Sequence, residues 1–113
     1  MLFKKRKKTE YDVFLDLHND EDYLKAFYAN VISVDDVPNH LKYKLDFYIN
    51  YFKVDPLNYF NLPLRVRKNI SISMYGLNEL MNIYNKEHIL DLIITKEHDQ
   101  DYLDICKSIF SQL

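Results

Sequence analysis

The chain has 113 residues, of which 48% are hydrophobic, and a formal net charge of −2 at pH 7. This length leaves room for one domain, and the apolar fraction, with ten Tyr and seven Phe, argues against a disordered chain. One glycine and three prolines argue against a turn-rich all-β protein and against long flexible linkers.

The charges are divided unevenly along the chain. Five cations stand in a row near its start: Lys4, Lys5, Arg6, Lys7 and Lys8. The residues from 9 onward hold ten Lys and Arg against seventeen Asp and Glu. Because a block of like charge repels itself and stays solvated, we predict a basic flexible tail at 1–8 and a single helical domain at 9–113.

Cysteine content and hydropathy indicate the compartment. Cys106 is the only cysteine, so an internal disulfide or a thiolate metal cluster within one chain is excluded. The apolar runs, such as 92–94, are much shorter than a membrane span, and polar residues follow the basic start where a signal peptide would turn apolar. We therefore predict a cytoplasmic protein with no membrane partner, with association with a virion as the open alternative.

The segment 11–17 allows two interpretations. Apolar residues alternate with Asp12 and Asp16, which is typical of a strand. Thr9 followed by Asp12 resembles a capping box, which indicates a helix. We favour the helix, because no convincing strand lies nearby to pair with this segment.

The first clear helix is predicted to begin at Asn19 or Asp20. Both residue types are common N-caps, and Glu21 and Asp22 then fall in the first turn, where the helix dipole favours acids. Apolar residues follow a 3.6-residue period: Leu24, Phe27, Tyr28, Val31 and Ile32.

A second helix is predicted from Asp36, its N-cap, to Asp55. Pro38 lies in the first turn, where proline is tolerated, and Pro56 ends the helix, since the residue before a proline avoids the helical region. Its apolar stripe contains Leu41, Leu45, Tyr48, Ile49 and Phe52.

Residues 57–60 are predicted to form a short helical turn. Asn61 and Pro63 then open a helix to Tyr75, and Gly76 is placed as the left-handed residue that ends it. The alternation of Ile and Met with Ser favours a strand at 69–75 as the alternative. A strand there, paired with 11–17 in a small hairpin, would give an α+β fold.

Three helical pieces complete the chain. Their apolar faces contain Leu77, Leu80, Met81 and Tyr84, then Ile89, Leu90, Ile93 and Ile94, then Tyr102, Cys106, Ile109 and Leu113. Asp99 is the predicted N-cap of the last piece. The sequence thus predicts a mainly α fold, a single compact domain of five to seven short helices with a mobile basic N-terminal tail.

The residue patterns of common catalytic and metal sites are missing. His88 and His98 are ten residues apart, a rotation of about 280° on one helix, so their imidazoles would not share a face. Cys106 lies on an apolar helix face, and one glycine cannot build a phosphate-binding loop. We therefore expect no metal site, no cofactor and no enzymatic activity.

The middle of the chain combines aromatic and cationic residues. Tyr and Arg often dominate the energetics of protein interfaces, and the candidate patch consists of Tyr51, Tyr59, Phe60, Arg65, Arg67 and Lys68. We predict a non-catalytic binding or assembly protein that docks on another protein through this patch, with homo-oligomerisation left open. Abundant Asn, Ile, Lys and Tyr, whose codons are AT-rich, suggest an accessory protein of a phage, virus or mobile element.

A nucleic-acid-binding module is the alternative function. The tail of Lys4 to Lys8, together with Arg65, Arg67 and Lys68, could neutralise phosphates, and the aromatic residues could stack on bases. The acidic remainder of the chain would repel a duplex unless its carboxylates faced away. Binding through the tail should show a steep salt dependence.

Overall fold

A computed structural model describes residues 17–113, and each regular element within that range is a helix. The mainly α prediction is therefore confirmed, and the seven α-helices of the described range agree with the predicted number. The chain divides into two compact units after Lys42. The tail at 1–8 and the segment 11–16 lie outside the described residues, and the assignment of 9–113 to one domain stays a prediction.

The first unit contains three short helices within its described residues. They are α1 (Asp20–Tyr28), a 3₁₀ helix (Val34–Asp36) and α2 (Asn39–Lys42). The predicted cap of α1 is confirmed, because the Asn19 side chain accepts from the Asp22 N–H at 2.9 Å. The Asp22 carboxylate accepts in return from the N–H groups of His18 and Asn19, and the His18 hydrogen bond lowers the pKa of Asp22.

The prediction of one continuous helix from Asp36 to Asp55 is wrong, because the structure divides this range among the 3₁₀ helix, α2 and a further helix at Leu45–Val54. Asp36 ends the 3₁₀ helix, where its carboxylate accepts from the Ser33 N–H at 3.1 Å, and α2 stops at Lys42. Lys44 has an extended backbone, with φ −102° and ψ 128°. The apolar pattern continues across this break, so the pattern alone could not reveal it.

The second unit consists of one 3₁₀ helix and five α-helices. In chain order they are α3 (Leu45–Val54), the 3₁₀ helix Pro56–Asn61, α4 (Leu64–Arg67), α5 (Ile70–Leu80), α6 (Lys86–Lys96) and α7 (Gln100–Gln112). Asp55 ends α3 as predicted. Asn85 and Asp99 cap α6 and α7 by accepting from the N–H groups of His88 and Tyr102, so the predicted Asp99 cap is confirmed.

Helix α5 confirms the helix favoured at 69–75 over the strand alternative and corrects the placement of Gly76. Residues 69–75 form its cap and first turns rather than a strand, with the Asn69 side chain accepting from the Ile72 N–H at 3.1 Å. Gly76 lies inside α5, not at its end, and its φ is not positive. A Cβ at this position would lie 2.4 Å from Cδ1 of Tyr59, so the close approach of that ring requires the glycine.

An aromatic cluster forms the core of the second unit. Phe52 of α3 is fully buried, and its ring centroid lies 5.9 Å from that of Tyr59 and 6.3 Å from that of Tyr75. The Tyr48 ring lies 6.2 Å away on the same helix. These contacts hold the Pro56–Asn61 3₁₀ helix and α5 against α3, and thereby fix the position of the residues that follow.

Candidate docking surface

The 3₁₀ helix Pro56–Asn61 has three distinct faces, because three residues complete each of its turns. Tyr59 lies on the first face and is fully buried. Asn58 and Asn61 share the second face, and both donate to α3: the Asn58 amide to the Tyr51 carbonyl at 2.8 Å and the Asn61 amide to the Tyr51 hydroxyl at 3.5 Å. Leu57 and Phe60 share the third face.

The buried face ends in a chain of hydroxyl groups. The Tyr59 hydroxyl lies 2.7 Å from Oγ of Ser73 and 2.5 Å from the Tyr102 hydroxyl, and all three residues are fully buried. Ser73 donates to the carbonyl of Arg67. Since that carbonyl can only accept and each hydroxyl has one hydrogen, Tyr59 donates to Ser73 and Tyr102 donates to Tyr59.

This direction of donation decides what the hydroxyl chain can do. A backbone carbonyl cannot pass a proton onward, so the chain of Tyr102, Tyr59 and Ser73 does not form a proton relay. Its polar atoms satisfy one another in a setting where an unpaired hydroxyl would be costly. The mutual pairing of these hydroxyls therefore stabilises the core of the second unit.

Arg67 lies beside the tyrosine pair and is only 6% exposed. Its Nε donates to the Leu62 carbonyl at 2.9 Å, and its terminal nitrogen donates to Oε2 of Glu97 at 2.5 Å. The guanidinium carbon lies 5.0 Å from the centroid of the Tyr102 ring and 6.0 Å from that of Tyr59. The positive charge is therefore matched within the core.

The predicted docking patch is only partly accessible. Tyr59 and Arg67 belong to the core, so they cannot contact a partner in this structure, and we remove both from the patch. Arg65 is exposed. Lys68 is half-buried and forms an ion pair with Asp99, with Nζ 3.1 Å from the carboxylate. The Asp99 carboxylate also accepts from the Tyr102 N–H, which is the larger cause of its lowered pKa.

The accessible aromatic and apolar side chains define a smaller surface. It consists of Tyr51, Val54, Leu57 and Phe60, and we call it the docking surface. Val54 is 80% exposed, Leu57 is 39% exposed, and the two aromatic residues are half-buried. Because Asn58 and Asn61 bind the 3₁₀ helix to α3, the surface is held in a fixed position rather than on a loose loop.

Val54 and Leu57 were missed in the sequence-based prediction. Leu57 has a signal in its three-residue spacing from Phe60 within one 3₁₀ helix, whereas Val54 lies in α3 before the extended Asp55 and has no such signal. A 3₁₀ interpretation of Pro56–Asn61 would have placed Tyr59 and Phe60 on different faces. The original patch grouped these neighbours on one surface.

Tyr59 and Tyr102 are expected to resist ionisation. Burial is the largest cause that raises the pKa of both phenols above the ordinary value, and the negative charge that the Cys106 thiolate would carry adds to it for both. The Tyr102 phenolate charge adds to it for Tyr59, whereas the Tyr59 hydrogen bond and Arg67 lower the pKa of Tyr102. The unfolded chain therefore loses these protons first, and the free energy of unfolding should fall as the pH rises above about 10. Absorbance titration near the phenolate band should show two tyrosines that ionise only on unfolding. Reversible ionisation of every tyrosine in the folded protein would contradict this expectation.

The remaining thiol, imidazole and carboxylate groups of the described residues do not cluster into a site. Cys106 is fully buried, and burial raises the pKa of its thiol even though Arg67 and Tyr102 act in the opposite direction. His88 and His98 are both exposed. Within residues 17–113, no three His, Cys, Asp or Glu residues come together as a metal site.

No helix in this range has the length and apolar character needed to cross a membrane.

Comparisons of the chain with protein-family models, with curated protein sequences and with solved structures find no match.

Proposed function

We propose that this chain is a non-catalytic protein-binding module that docks on a partner protein through Tyr51, Val54, Leu57 and Phe60. By binding this partner, the chain acts as an accessory or assembly protein, which agrees with the phage, viral or mobile-element origin predicted from composition. The observation that supports the proposal is the outward face of the 3₁₀ helix. The face of the 3₁₀ helix that carries Asn58 and Asn61 is bound to α3, and the face that carries Tyr59 is anchored in the core. Leu57 therefore remains exposed and Phe60 half-buried.

The anchoring of this face favours binding over a purely structural role. Ordering an exposed side chain at an interface costs conformational entropy, and a surface that is already rigid loses less on association. Aromatic residues are common anchors of interfaces. Burying one leucine-sized side chain contributes about 1.5–3 kcal/mol, which corresponds to at least about tenfold in affinity.

Photo-crosslinking in the organism of origin tests the proposal. A crosslinking residue at position 57 should trap a discrete protein, whereas the same residue at Ile83, which is 50% exposed, should not. For the trapped and purified protein, calorimetry should show an affinity at least about tenfold weaker for Leu57→Ser and unchanged within about twofold for Ile83→Ser. Equal trapping at both positions, or full affinity of Leu57→Ser, would refute the docking surface.

The nucleic-acid alternative predicts a different result in the same experiment. Arg67 and Lys68 already pair with Glu97 and Asp99, which reduces the charge available to phosphates, and Lys4 to Lys8 lie outside the described residues. Partner capture that disappears on nuclease treatment would favour the alternative. Capture by the intact chain should then fall steeply with salt, and deletion of the tail should abolish this salt dependence.

A further inference from the structure

Two lysines border the docking surface. Lys53 precedes Val54 on the exposed side of α3, and Nζ of Lys96 lies 5.5 Å from the centroid of the Phe60 ring. Within residues 17–113, neither lysine has a carboxylate at ion-pair distance, in contrast to Arg67 and Lys68. These two positive charges are therefore available to an incoming group.

Residues 69–113, which form most of the second unit, carry a net negative charge, opposite in sign to these two lysines. Residues 69–113 hold three Lys against seven Asp and Glu, whereas residues 51–68 hold four Lys and Arg against one Asp. Arg67 and Lys68 already pair with Glu97 and Asp99, so an acidic ligand would be repelled from most of residues 69–113 and attracted to Lys53 and Lys96. Charge complementarity of this kind selects both the partner and its position.

The secondary structure limits how a partner can bind. Between residues 17 and 113 there is no strand, so a ligand cannot add a strand to a sheet edge there. An amphipathic helix presents apolar residues at positions i, i+3 and i+4 on one face, which suits the pair of Leu57 and Phe60 on one face of the 3₁₀ helix, with Val54 exposed at the end of α3.

We propose that the docking surface binds an acidic amphipathic helix of a partner protein. Its apolar face packs on Val54, Leu57 and Phe60, and a carboxylate beside that face pairs with Lys96. The cation then lies between the Phe60 ring and the carboxylate, where both contacts gain strength as water is excluded. This inference rests on the proposed docking function and adds the chemistry of the partner.

Selection from a displayed library of random 16-residue peptides tests the partner chemistry. The intact chain serves as bait, and peptides that also bind Leu57→Ser are removed. The selected peptides should be net negative, with apolar residues spaced three or four apart. Lys96→Glu should weaken their binding at least tenfold, whereas Lys107→Glu, at an exposed position of α7, should leave it within twofold.

The outcomes separate the two proposals. Selected peptides that need Leu57 but are neutral or basic, or that bind Lys96→Glu with full affinity, would overturn the acidic helix and leave the docking surface in place. An absence of enriched peptides once those that also bind Leu57→Ser have been removed would overturn both.

Discussion

Replacement of Arg67 by methionine is expected to lower the free energy of unfolding by about 3–5 kcal/mol. The substitution removes the ion pair with Glu97 and the bond to the Leu62 carbonyl, and it leaves the carboxylate without its cation. The contacts of the guanidinium with the Tyr59 and Tyr102 rings are lost as well. Urea denaturation followed by circular dichroism measures the change.

The neighbouring cation provides a matched control. Lys68→Met removes an ion pair whose side chains are 35% and 30% exposed, so the expected loss is at most about 1 kcal/mol. The double variant Arg67→Met/Glu97→Leu should recover part of the loss, since an apolar pair can replace a buried ion pair. A loss for Arg67→Met no larger than that for Lys68→Met would show that Arg67 is not held in the core.

Gly76→Ala is expected to destabilise the protein by about 1–3 kcal/mol. In the interior of a helix this substitution ordinarily stabilises by about 0.5–1 kcal/mol, because alanine has the higher helix propensity. The expected sign is reversed because the added Cβ would lie 2.4 Å from the Tyr59 ring, which is fully buried and cannot move aside freely. Thermal and urea unfolding report the sign directly.

A double-mutant cycle separates crowding from other causes. Tyr59→Leu alone is destabilising, since it leaves the Ser73 and Tyr102 hydroxyls with fewer partners. In that background Gly76→Ala should become neutral or stabilising, because the ring it would strike is gone. The same penalty in both backgrounds would show that contact with the Tyr59 ring is not the reason for the glycine.

Helix boundaries could be predicted from the sequence where the cause is local. Asn19, Asp55 and Asp99 act through their own backbone or side-chain contacts within a few residues, and each was placed correctly. The break at Lys42 to Lys44 lies within a continuing apolar stripe. The Tyr43 carbonyl there accepts from the Asn69 side chain at 3.2 Å, a contact across twenty-six positions that no local pattern contains.

The site was harder to predict because composition does not distinguish neighbours. Tyr59 and Phe60 look equivalent in the sequence, yet one lies in the core and the other faces Lys96. From the sequence, Arg67 resembles an exposed interface cation. Its ion pair with Glu97, thirty residues later in the chain, is visible only in the structure. The accessible members of the patch could be named from the sequence, but their separation from the buried members depends on tertiary packing.

The six-residue length of the Pro56–Asn61 3₁₀ helix tolerates no change of register. Insertion or deletion of a single residue would rotate all later side chains by about 120°, since each turn holds three residues. Tyr59 would then leave its place above Gly76, and an asparagine or Phe60 would take it. Indels should therefore be absent from this segment in any descendant of the chain that keeps the same surface, even where point substitutions accumulate.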